Sequence, residues 1–90
     1  FGPGCGPSTF SCTSPQKILP GSSVSFPSGY SSIYLTTESG SASVYLDRPD
    51  GYWVGGADSK GCSNFGGFSG NGDSKVGNWG DVPVAAWACN

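Results

Sequence analysis

The sequence predicts an all-β fold: a small, disulfide-stapled antiparallel β-sandwich or barrel-like domain with an irregular Gly/Pro-rich N-terminal arm. Three observations predict it. Four cysteines stand in 90 residues that contain no histidine, no methionine and one glutamate. A short chain with an even cysteine count reads as a disulfide framework. Its apolar residues alternate with period two, and no stretch carries a 3.6-residue period long enough for a helix. Serine and glycine occur sixteen times each, yet twelve aromatic residues and a net charge of −2 argue against a disordered chain.

The elements follow in order. Residues 1–21 form the arm, which holds Cys5 and Cys12 and has prolines at 3, 7, 15 and 20. Proline at that density prevents regular helix and central strand. The expectation is irregular coil wrapped around the domain, with a short strand after it at 24–26. Residues 32–36, 42–47 and 52–55 read as three strands of an antiparallel meander. Their connectors are Thr37-Glu38-Ser39-Gly40 and Arg48-Pro49-Asp50-Gly51. In the second, proline presets φ at the first corner and glycine can take the left-handed conformation.

A three-residue loop, Pro49-Asp50-Gly51, with Gly51 as a left-handed bulge, sorts the side chains best. It sets Asp47 opposite Trp53 and Leu46 opposite Val54. One face then collects Ile33, Leu35, Val44, Leu46 and Val54 as core. The other collects Tyr34, Tyr45 and Trp53. Residues 55–80 are glycine-rich and poor in aliphatics, and they read as a long loop pinned by Cys62. Asp58-Ser59-Lys60 and Asn64-Phe65-Gly66 are echoed by Asp73-Ser74-Lys75 and Asn78-Trp79-Gly80. Stacked hairpin tips and chance similarity both account for the echo. Residues 82–89 close the chain as a strand, with Pro83 pointing to a sheet edge. There Val82, Val84 and Ala86 face one way, and Ala85, Trp87 and Cys89 the other.

One domain of 90 residues is expected, of six to eight short strands. A chain this small buries only about 60–65% of its unfolded surface, so its core is marginal. Cys5, Cys12, Cys62 and Cys89 are therefore read as two structural disulfides, each adding roughly 2–5 kcal/mol. Four cysteines allow three connectivities. Pairs that cross from the arm to the later cysteines are favoured, because the arm has little else to hold it. The start at Phe1, with no apolar run long enough for a membrane span or a signal core, fits a mature secreted protein.

Composition also narrows function. Four basic residues with no basic stripe disfavour a nucleic-acid binder and a cationic membrane-disrupting peptide. Without histidine, a serine nucleophile has no base, and a zinc site lacks its usual ligand. Paired carboxylates among Asp47, Asp50, Asp58, Asp73 and Asp81 could serve glycoside hydrolysis, but that chemistry needs a cleft. The expectation is no enzyme, no cofactor and no metal. Asp58, Asn71, Asp73 and Asp81 could offer oxygens to calcium, although Lys60 and Lys75 would oppose it. Asx-turns account for the same residues.

The aromatics are the functional lead. Tyr34, Tyr45 and Trp53 could form a cross-strand row, while Phe65, Phe68 and Trp79 punctuate the long loop beside Asn78 and Asp81. Rings beside short hydrogen-bonding groups suit a sugar. These eight residues are the candidate ligand-binding set, with Trp79 the preferred anchor and Trp87 in the core. The function expected is a small secreted glycan- or cell-wall-binding protein, monomeric, with a defence role. The alternative is a protease inhibitor or toxin-like protein acting on a protein target, with Lys60 beside Cys62 as the presented basic residue.

Overall fold

The computed structural model describes residues 11–66, 68 and 71–90. Among the described residues there are eight strands: β1 (Gln16–Ile18), β2 (Ser23–Phe26), β3 (Ser32–Thr37), β4 (Ser41–Arg48), β5 (Gly51–Asp58), β6 (Ser63–Gly66), β7 (Ser74–Asn78) and β8 (Val84–Cys89). They form two four-stranded sheets, ordered β1-β8-β3-β6 and β2-β7-β4-β5. Every pairing between these strands is antiparallel.

The two sheets face each other across one core. Ile18, Ile33, Leu35, Val84, Ala86 and Ala88 come from the first sheet, and Phe26, Ala42, Val44, Leu46, Ala57 and Val76 from the second. Period-two alternation puts them there, as along β4, where Ala42, Val44, Leu46 and Arg48 are buried and the residues between them point outward. Full burial of a Val, Leu or Ile contributes about 1.5–3 kcal/mol.

Arg48 closes one end of the core. It is buried, and its Nε donates to Asp50 Oδ1 at 2.9 Å. Its Nη1 donates to Ser74 Oγ at 2.6 Å and its Nη2 to the Asn71 carbonyl at 2.7 Å. The guanidinium lies 4.1 Å from the centre of the Phe68 ring.

Cys12 and Cys89 form a disulfide across a sequence separation of 77. The arm is thus tied to the last strand, as the crossing preference requires. Cys62 is disulfide-bonded as well. Cys5 and the first ten residues of the arm lie outside the described residues. Within the arm, residues 16–18 are not coil but β1, which adds to β8.

The structure corrects several expectations. Residues 32–55 do not form a meander: β3 crosses to the other sheet and pairs with β8 and β6, leaving β4 and β5 as a hairpin. The hairpin loop has two residues, because Arg48 pairs with Gly51, Asp47 with Tyr52 and Leu46 with Trp53. Gly51 is not left-handed; only Gly21, Gly29, Gly40 and Gly72 have positive φ among the described residues. Gly51 is needed for closeness instead. A Cβ there would sit 2.6 Å from Trp53 Cη2, so the indole folds back over the bare backbone. With the register one residue away from that expected, Val54 points to solvent at 60% exposure.

The stretch 55–80 is not one long loop, since it contains the end of β5 and all of β6 and β7. The repeated turns are not stacked: β6 and β7 belong to different sheets. Lastly, Pro83 does not mark an edge. It precedes β8, which is central, between β1 and β3.

Candidate functional site

The outer face of the β2-β7-β4-β5 sheet carries an aromatic platform. Tyr45 projects outward from β4 and lies opposite Gly77 of β7. A Cβ on Gly77 would overlap the Tyr45 ring, so glycine is what lets the ring lie flat across the neighbouring strand. Tyr52 reaches Tyr45 diagonally from β5, with ring centres 5.8 Å apart and planes 14° apart. Trp79, just past β7, meets Tyr45 at 4.8 Å and Tyr52 at 6.4 Å. The three rings are therefore mutual neighbours. Tyr52 and Trp79 remain 53% and 55% exposed.

The backbone around Trp79 is fixed from two sides. Its own N–H donates to the Ser43 carbonyl at 2.8 Å, extending the β4–β7 ladder by one residue. Asn78 points the opposite way and is 1% exposed. Its Nδ2 donates to the carbonyls of Ile18 and Val82, and its Oδ1 accepts the Gly80 N–H at 2.8 Å. The whole Asn78 amide thus holds the turn that presents Trp79. Asn78 does not reach the surface to meet a ligand.

Beside the platform opens a groove of about 570 Å³. Trp79 forms one wall; Ser41, Ser43, Asp58 and Asp81 add polar groups, and Ala42, Gly56, Ala57 and Gly80 complete the lining. Asp58 Oδ1 accepts the Lys60 backbone N–H at 2.9 Å, which is an Asx-turn. The Tyr52 hydroxyl is held above its ordinary pKa, first by desolvation, then by Tyr45 and Asp47. It stays protonated, and able to donate, across the physiological range.

The other expected site residues lie elsewhere. Tyr34 is on the outer face of the opposite sheet, where it stacks on Trp87 at 6.3 Å and packs with Ala85, Cys12, Cys62 and Cys89. It cannot form a row with Tyr45, because their strands are in different sheets. Trp87 is fully buried in that outer cluster rather than between the sheets, and its Nε1 has no hydrogen-bond partner among the described residues. Phe65 is half-buried against Gly55. Phe68 is half-buried under Arg48 and meets Trp53 at 6.4 Å. Trp53, 39% exposed, faces this sandwich rim and not the platform.

The four residues considered for calcium do not converge. Asp73 precedes β7 and accepts the Ser28 N–H, whereas Asp81 follows β7 at its other end. Asn71 accepts from Arg48. Among the described residues no three His, Cys, Asp or Glu side chains gather as a metal site.

Sequence reasoning placed Trp79, Tyr45 and Asp81 in the candidate set and missed Tyr52, Ser41, Ser43 and Asp58 as its companions. The missing signal was the two-residue turn. With it, Tyr52 moves to the face of Tyr45, and Trp53 leaves it.

No established family profile matches the chain, and no solved structure matches it. Over 90 residues it is 97% identical to Hypnin-A3 of Hypnea japonica, a match that covers all of both chains. With identity this high along both full lengths, the chain belongs to the same family as Hypnin-A3.

Proposed function

We propose that the protein is a secreted, non-enzymatic binding protein with a defence role, which recognises a glycan, such as a cell-wall polysaccharide, as a monomer. One observation carries this reading: three mutually packed rings, two of them more than half exposed, beside a groove lined by serines and carboxylates. A sugar ring has an apolar face and a rim of hydroxyls. The rings supply apolar contact, at about 25 cal/mol per Å² removed from water. Serine hydroxyls and aspartate oxygens satisfy the hydroxyls, which would otherwise lose hydrogen bonds to water.

The protease-inhibitor reading is less well supported. A segment recognised by adding to a partner's sheet must be extended. Lys60 instead sits in a tight turn, its N–H held by Asp58. The Thr36 hydroxyl lies 3.2 Å and 3.1 Å from the carbonyl oxygens of Asp58 and Gly61 and braces that turn. Glycoside hydrolysis fares no better, since both groove carboxylates are exposed and a general acid needs a desolvated one. Secretion is supported by the disulfides, which persist in oxidising surroundings.

Trp79→Ala tests the reading. Burying roughly 100 Å² of sugar and indole surface corresponds to about 2.5 kcal/mol. The variant is therefore expected to lose tenfold or more in glycan affinity by calorimetry. Its stability should fall by only about 1–2 kcal/mol, because the indole packs on Tyr45 and Tyr52 but is 55% exposed. Unchanged affinity would remove Trp79 from the site.

A further inference from the structure

We propose that the groove selects glycans by charge, taking chains with free amines in preference to neutral ones and disfavouring sulfated or uronic chains. This rests on the glycan-binding reading of the platform. The argument is the distribution of charge around the groove that Trp79 walls. Asp58 and Asp81 both line it, and no lysine or arginine does. Asp81 is exposed and its carboxylate makes no hydrogen bond or ion pair among the described residues.

The four cations lie outside this groove. Arg48 is buried at the far end of β4, paired with Asp50. Lys75 stands at that same far end, directly opposite Asp47. Lys17 lines a separate small cleft with Glu38. Lys60 lines an adjoining hollow with Asp58. Two carboxylates against one lateral ammonium leave the groove negative.

A sugar stacked on Trp79 presents its substituents to that groove. An ammonium there gains from both carboxylates, while a sulfate or carboxylate is repelled by both. Exposed charge pairs at such separations are weak one by one, about 0.2–1 kcal/mol each, and are screened by salt. Two together, each near the middle of that range, amount to a discrimination of roughly threefold to tenfold. Ring stacking carries most of the affinity, so neutral chains still bind.

The test uses calorimetry on the oxidised protein in mildly acidic, low-salt buffer. The probes are an acetylated chito-oligosaccharide, its fully deacetylated counterpart of equal length and a sulfated galactan oligosaccharide. The deacetylated chain is expected to bind roughly threefold to tenfold tighter than the acetylated one, and the sulfated chain roughly threefold to tenfold weaker. Added salt should narrow the gap. Asp58→Asn with Asp81→Asn should abolish it, bringing the acetylated and deacetylated chains to the same affinity; asparagine can still accept the Lys60 N–H, so the turn is kept. Trp79→Ala should weaken both chitin-derived probes together.

A preference that survives in the double variant overturns the charge inference alone, as does sulfated-chain binding equal to that of the acetylated chain. If none of the three probes binds, the glycan reading falls with it.

Discussion

Replacing Cys12 and Cys89 together by serine will lower the stability of the folded chain by about 4–5 kcal/mol. The figure follows from loop-closure entropy for a bridge spanning 77 residues, in a model where the bridge acts by restricting the unfolded chain. It is comparable to the whole net stability of a small domain, about 5–10 kcal/mol. The loss should exceed the entropic figure slightly, because Cys89 lies in a buried outer cluster with Ala85 and Trp87. Two hydroxyls would enter that cluster in place of a compact sulfur bridge. Circular dichroism during urea titration measures it. The expected result is a transition moved close to zero denaturant, with the same trend when the native protein is treated with a reductant. A variant that melts within a few degrees of the native protein would show that the sandwich core suffices without the bridge.

Arg48→Met is expected to cost about 3 kcal/mol, a fall in melting temperature of roughly 12–24 °C for a domain of this size. The residue ties together three parts of the chain that share no strand pairing at that point. Its bond to Asp50 holds the hairpin turn; its bonds to Ser74 and the Asn71 carbonyl hold the entry to β7. Most of the cost arises at the buried Ser74 hydroxyl and the Asn71 carbonyl, which lose a charged donor. The ion pair itself adds little, because the Asp50 side chain is 42% exposed. Asp50→Asn should accordingly cost less than about 1 kcal/mol, and Arg48→Lys should recover only part of the loss, since an ammonium lacks the planar fork. Equal effects from Asp50→Asn and Arg48→Met would mean that the ion pair, not the fork, holds this end.

Strands with a strong alternation could be read from the chain. β4 has Ala42, Val44 and Leu46 separated by Ser43 and Tyr45, and it was expected within a residue at either end. The inward and outward sets of β8 were legible for the same reason. β7 was hidden because glycine occupies a position where a neighbour's ring needs the space, and β6 because it is nearly without apolar residues. Gly77 in β7 lies under Tyr45, so the strand reads Ser-Lys-Val-Gly-Asn with a single aliphatic. β6, Ser-Asn-Phe-Gly, has one apolar residue for a similar length.

Beyond the β4–β5 hairpin, pairing partners were not legible. β3 bonds to β8 some fifty residues later, and nothing local in either segment encodes that choice. The candidate site inherited the consequence. Trp79 entered the candidate set because the stretch 55–80 offered an indole no obvious core role, and its side chain is exposed. Tyr52 was lost because Pro49-Asp50-Gly51 admits two registers, and a shift of one residue moves every β5 side chain to the opposite face. Asn78 looked like a ligand-facing amide for the same kind of reason. Its inward direction depends on Val76 and Asn78 sharing a face, which the strand assignment alone reveals.

The burial of Trp87 against sulfur has an optical consequence. Its indole shares a cluster with Cys12, Cys62 and Cys89, all disulfide-bonded, and disulfides quench indole emission efficiently. Light from the native protein should therefore come mainly from Trp53 and Trp79, the two tryptophans in contact with solvent. The fold thus carries its own reporter. Ligand arriving on the platform should shift the emission of Trp79 to shorter wavelength with no dye attached, and opening the disulfides should brighten a third emitter that was dark in the folded protein.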